Sequence, residues 1–126
     1  MAWTIEYFEQ EDTTQTAESF EDMLDETYPK LSSKLAMVAV EVKFSGYLSG
    51  GGYLEKCRNY DGLWEIRAIH SGLLAREFLG FDKNRIILLH SYTKRTGQPA
   101  SEQDLSKAFA YWTEYLRTRH VSPLKE

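Results

Sequence analysis

The chain has 126 residues, 42% of them hydrophobic and 27% charged, with a formal net charge of −4. That length suits one domain, 1–126, with a real core, and no apolar run approaches the ~20 residues that span a bilayer. The acidic total argues against gripping nucleic acid by net charge alone, and the single cysteine, Cys57, can neither close an internal disulfide nor hold a metal by itself.

The charge is segregated. Residues 1–30 hold nine acids and one base, whereas 56–97 hold eight bases and four acids. A phosphate-binding surface needs only local positive potential, so the second segment can supply one. The plain alternative is that the acidic stretch is a solvated helix face. The start, "MAWTIEYFEQ", lacks the basic segment and apolar stretch of a secretory signal, which makes cytoplasm the expected location.

"WTIEYFE" alternates as a first strand. "TAESFEDMLDETYP" follows as a helix with Phe20, Met23 and Leu24 on one side, ending at Tyr28 before Pro29. A second helix carries Leu31, Leu35, Val38 and Val42 on one stripe and stops at Gly46. "GYLSGGGYLEK" reads as a mobile connection, since no Gly-Lys-Ser/Thr follows its glycines. Four strands come next, "YLEKCRN", "GLWEIRAI", "LLAREFL" and "RIILLHSYTK", divided by the turn signals "NYDG", "HSG" and "FDKN". Short connections favour antiparallel neighbours. Ser101 caps a last helix whose expected apolar stripe is Leu105, Ala108, Phe109, Trp112 and Leu116, closed by Arg117, Arg119 and His120. The expected fold class is α+β: a strand, two helices, an antiparallel meander and a C-terminal helix.

Strand alternation places Arg67 with Glu65 and Leu63, and Arg76 with Leu74 and Phe78. On the last strand it places Ile86, Leu88, His90, Tyr92 and Lys94 on one face. If these strands are neighbours, Arg67, Arg76, His90, Tyr92 and Lys94 converge on one patch. Such a patch suits metal-independent RNA cleavage. Arginines and lysines stabilise charge developing on phosphorus, and a histidine, tyrosine or lysine moves the protons. Lys56, Arg58 and Arg95 are further candidates for RNA contact, and Phe78 or Tyr92 for stacking on a splayed base. Each also has a structural reading. Arg67 can pair with Glu65 or Glu77, His90 can be a hydrogen-bonded core residue, and Lys94 and Arg95 can be solubilising charges on an edge. No two histidines have metal-ligand spacing, so neither a metal nor a cofactor is expected.

The segments "DGLWEIR" (61–67), "AREF" (75–78), "IILLHSYTKRT" (86–96) and "PASEQDLSKA" (99–108) resemble the HigB-like toxins of the RelE superfamily, phage-derived relatives included. That resemblance implies a RelE-like antiparallel sheet with two N-terminal helices and a C-terminal helix. It implies a toxin of a type II toxin–antitoxin system that cleaves messenger RNA, usually on the ribosome, and is neutralised by a cognate helix-turn-helix antitoxin. By position Arg67 and Arg76 correspond to the family's sheet arginines, His90 to its histidine after the apolar run, and Lys94 to the first lysine of its "KKT". Tyr92 stands where many relatives have phenylalanine. Two rivals keep the same fold: a ParE-like inhibitor of DNA gyrase, and a non-catalytic interaction module.

Overall fold

Alternation over "TIEYF" makes β1, Thr4–Phe8, whose Ile5 and Tyr7 turn to one side and Phe8 to the other. The computed structural model describes residues 3–9, 17–46, 54–98, 101–119 and 121–123, the last three by backbone alone. The glycine-rich connection at 47–53 and His120 lie outside these.

Helix α1, Ala17–Thr27, ends before Tyr28, and Pro29 occupies the first turn of α2, Pro29–Ser45, where its missing N–H costs nothing. The expected stripe of Leu31, Leu35, Val38 and Val42 is the buried face of α2. Met23 of α1, expected to pack with Phe20 and Leu24, is exposed instead. The strands β2 (Leu54–Lys56), β3 (Trp64–His70), β4 (Leu73–Asp82) and β5 (Arg85–Arg95) follow as an antiparallel meander. Ser71 and Gly72 both have positive φ, as a two-residue hairpin joining β3 to β4 requires. Helix α3, Glu102–Thr118, and the short β6, Val121–Pro123, complete the described chain.

The sheet order is β2-β3-β4-β5-β1-β6, with β1 parallel to β5 and antiparallel to β6. The class is α+β, consistent with a RelE-like fold. Two features were not legible: the insertion of β1 as a parallel neighbour of β5, and β6 itself. Both depend on contacts between segments far apart in the chain, which local periodicity does not encode. Among the described residues no helix is long and apolar enough to cross a membrane.

The sheet has two covered faces. One packs against α1 and α2 through Ile66, Ala68, Ala75, Leu79, Ile86 and Leu88. The other packs against α3 through Leu63, Phe78, Ile87 and Leu89. A β-bulge at Leu89 lets two β5 residues follow each other on the α3 side, because Phe78 pairs with His90 while Leu79 pairs with Leu88. This corrects the expectation that Ile86, Leu88, His90, Tyr92 and Lys94 share a face. The first two turn toward α1 and α2; the last three lie on the α3 side.

The buried stripe of α3 is Ala108, Tyr111, Trp112 and Tyr115, rotated from the expected one, so Leu116 is exposed and Phe109 only partly covered. Trp112 lies flat over Gly80 of β4, where a β-carbon would overlap its ring. Gly80→Ala should therefore cost about 1–3 kcal/mol through overpacking. In urea, Trp112 fluorescence should report a lower midpoint at unchanged slope.

Candidate functional site

Helix α3 runs back along β5, from Ser101 beside Tyr92 to Tyr115 beside Arg85. Helix α3 starts beside Tyr92, and on the same face beyond that point Arg67 and Lys94 are half-buried while Leu74 and Arg76 are buried. There the register sets Arg67 opposite Arg76, and Arg76 opposite Tyr92. Residues directly opposite in antiparallel strands project on the same side and touch. One position outward along this face Leu74 pairs with Lys94, and one position inward Phe78 pairs with His90. Arg67, Arg76, His90, Tyr92 and Lys94 are thus one contiguous group on three neighbouring strands.

Two guanidiniums facing each other would repel, and two carboxylates offset this. Arg67 Nη2 lies 2.7 Å from Glu55 Oε1 near the sheet edge. Arg76, only 8% exposed, has Nε 3.1 Å from Glu65 Oε2, close enough for an ion pair although not aligned as a hydrogen bond. Burial raises the Glu65 pKa, and the charges of Arg76, Arg67 and Lys94 act against that rise. Positive potential from all three bases therefore converges on the same carboxyl. Nearby Cys57 is no nucleophile, since burial pushes its thiol up to about 12.

Tyr92 is the hub. Its hydroxyl oxygen accepts from Arg76 Nη1 and from the backbone N–H of Ser101, each at 3.3 Å. With both acceptor positions engaged, its own O–H is left to donate elsewhere. His90 is held differently: Nε2 lies 2.6 Å from Asp104 Oδ1, in the first turn of α3, and Ser101 Oγ accepts the Asp104 N–H at 3.2 Å. The imidazole is stacked near-parallel to Phe78 at 6.3 Å and meets Tyr111 edge-on at 6.0 Å. Lys94 Nζ donates to the Gln98 carbonyl, which folds the strand end back over itself.

The remaining candidates separate. Arg95 is exposed at the end of β5, and Arg58 is exposed in the turn after β2. Lys56 pairs with Trp64 and sits 5.2 Å from its ring on the α1–α2 side of the sheet, away from the arginine row. Phe78 is fully buried beneath His90 and Tyr92, so it cannot stack on a base; it is the floor of the site. Residues that sequence reasoning did not place at the site are Glu55 and Asp104, and Glu65 entered only as a structural partner. Alternation already put Glu65 beside Arg67, but Glu55 needs the β2–β3 register and Asp104 the docking of α3 on β5.

The arrangement offers fixed positive charge at a partly open surface, a phenol aligned by that charge, and a helix N-terminus beside it. The first turn of α3 carries Glu102 and Asp104, which temper its pull on anions.

No curated protein matches the chain. The family model described as phage derived protein Gp49-like (DUF891) matches residues 22–112, from within α1 into α3, a span that contains the whole arginine row. The chain therefore belongs to the Gp49-like family of phage-derived, toxin-like proteins related to the RelE-type toxins.

Proposed function

We propose that this protein is a toxin that cleaves messenger RNA without a metal, acting on the ribosome and so stopping translation. The observation that carries the reading is the direct cross-strand alignment of Arg67, Arg76 and Tyr92, with Lys94 one position further on the same face. In this reading the phosphate sits over the row, and Arg67 and Lys94 neutralise the charge that grows on its oxygens. The 2′-oxygen attacks phosphorus as its proton passes to water, the bond to the 5′-oxygen breaks to leave a 2′,3′-cyclic phosphate, and the 5′-oxygen takes a proton. Tyr92 is placed to give it, because Arg76 Nη1 and the Ser101 N–H hold its oxygen at the row and leave its own O–H to donate. His90, held by Asp104, positions the Tyr92 ring through the shared Phe78 floor. A cognate helix-turn-helix antitoxin would hold the toxin in check.

A second reading has its own observation. Both arginines already have carboxylate partners, which is what a non-catalytic surface would also show. RNA binding requires the phosphate to displace Glu55 from Arg67, a cheap exchange at an exposed pair.

Arg76 is a poor first target, because its removal strands the Glu65 carboxyl in a buried position. The informative change is Arg67→Ala with Lys94→Ala, both only half-buried. Expression in a bacterial host, primer extension on a defined transcript and plasmid supercoiling are measured together. Cuts within translated codons should appear with the native chain and fall at least about a hundredfold in the double variant, with the melting temperature unchanged. Growth arrest with intact transcripts and relaxed plasmid would move the reading to gyrase. Undiminished cutting by the double variant would remove the arginine row from the mechanism.

A further inference from the structure

Alternation along β3 sets Ile69 on the same face as Arg67, two residues on toward the β3–β4 hairpin. There it pairs with Leu74, and Leu74 pairs with Lys94, so Ile69, Leu74 and Lys94 form a second row beside Arg67, Arg76 and Tyr92. Leu74 is 6% exposed, whereas Ile69 is 48% exposed. A lone exposed apolar side chain is ordinary on a protein surface. Ile69 differs by its place. Among the described residues the other strongly exposed large hydrophobics lie on helices or at the start of α2, and Ile69 alone stands in the sheet, beside the cations. Its backbone is in the ladder to Leu74, and its carbonyl accepts from Lys34 Nζ of α2 at 3.2 Å. A β-branched side chain in a paired strand has little rotamer freedom. Ile69 is thus a stiff apolar ledge at the rim of the row.

We propose that Ile69 is a substrate contact: the base of a nucleotide whose phosphate lies over the arginine row packs its face on this side chain, so the site takes single-stranded RNA. This rests on the reading of the row as a phosphate site and adds what the row does not supply, because phosphate contacts position a nucleic acid without reading its bases. Phe78, beneath the row, is fully buried and cannot meet a base. Same-face neighbours on a strand are about 6.6 Å apart, twice the rise per residue, a span that a ribose bridges between its phosphate and its base. A base inside a duplex is stacked on both faces and cannot reach the ledge, whereas a splayed base can. The Ile69 side chain has no hydrogen-bonding group, so the contact accepts any of the four bases. It selects the strand state and not the sequence.

The probes are a short, dye-labelled single-stranded RNA of mixed sequence, 2′-O-methylated so that it is not cut, and the same RNA annealed to its complement. Fluorescence anisotropy is read with the full chain, with Ile69→Thr, which stays β-branched, and with Ile69→Trp. The native chain should prefer the single strand; binding by phosphates alone would favour the duplex, with its denser charge. Ile69→Thr should weaken the single strand about fivefold and leave the duplex affinity and the melting temperature unchanged. Ile69→Trp should tighten the single strand about tenfold, and RNA should quench the added indole beyond any change seen in the native chain. Unchanged single-strand affinity in both variants, with binding still lost in Arg67→Ala/Lys94→Ala, would overturn the ledge and leave the row standing. An equal fall in single-strand and duplex affinity in Ile69→Thr would also overturn it, by making Ile69 a support of the row. Binding of neither RNA by the native chain would overturn the row as a phosphate site, and the ledge with it.

Discussion

Phe78→Ala should collapse the site by removing its floor, costing about 3–5 kcal/mol of stability as a buried aromatic ring replaced by a void. Phe78 is fully buried, parallel to both His90 and Tyr92, with ring centroids 6.3 and 5.9 Å away. Without the ring nothing sets the spacing between the imidazole held by Asp104 and the phenol held by Arg76 and Ser101. Loss of activity in this variant would thus follow loss of packing. Phe78→Leu separates the two roles: it keeps most of the apolar volume but has no face for a base. Urea unfolding should show most of the stability retained, and toxicity should persist wherever the fold does. If Phe78→Leu were as stable as the native chain and wholly inactive, the ring would have a role in contact with substrate, and its burial would have to be relieved when RNA binds.

The same residue shows how far the sequence could be read. Alternation correctly put Phe78 and Arg76 on one face and Glu65 beside Arg67, because within a strand the period of two is enforced by geometry. Carrying that period through β5 failed at Leu89. "RIILLHSYTK" is apolar at four consecutive positions, Ile86 to Leu89, so no pattern in it marks where the bulge falls. Ile87 and Leu89 are as buried as Ile86 and Leu88 only because the sheet is covered on both faces. In α3 the stripe was misplaced for a related reason. Tyr111 and Tyr115 can bury their rings while their hydroxyl ends reach polar partners, and Tyr115 does so at Asp82 and Arg85, 2.7 and 2.5 Å away. Leucine at 116 looked like the better core residue and lost to that network. The cations of the site were legible as residue types on a strand. The pairings Arg67–Glu55 and His90–Asp104 were not, since they form only through register and the docking of α3.

Glu77→Gln should make the protein more stable at neutral pH. Glu77 alternates with Arg76 and Phe78, so it points to the opposite face, where α1 and α2 seal it from solvent completely. Ser91 Oγ donates to its Oε2 at 2.8 Å, while Oε1 has no conventional donor, and Glu77 and Glu21 both line a crevice of about 240 Å³. Burial, then the charge and hydrogen bond of Glu21, raise the Glu77 pKa well above the ordinary carboxylic value. The orphaned oxygen is accounted for if Glu77 keeps its proton and donates it to Glu21, whose Oε1 also accepts from Tyr7 at 2.5 Å. The unfolded chain releases that proton near pH ~4.3. Below that pH both states hold it, and the contribution of Glu77 to stability is fully present. As pH rises from there toward the folded pKa, only the folded state binds the proton, so stability falls. Glutamine supplies the same donor with no proton to lose. The variant should gain stability as pH rises above the unfolded value, by about 1.4 kcal/mol for each pH unit below the folded pKa, and the gain should shrink to nothing by pH 4. Urea midpoints at pH 4, 6 and 8 measure it directly. A variant less stable than the native chain at pH 8 would mean that the folded protein holds Glu77 as a compensated carboxylate, and that α1 is latched to the sheet by charge instead of a shared proton.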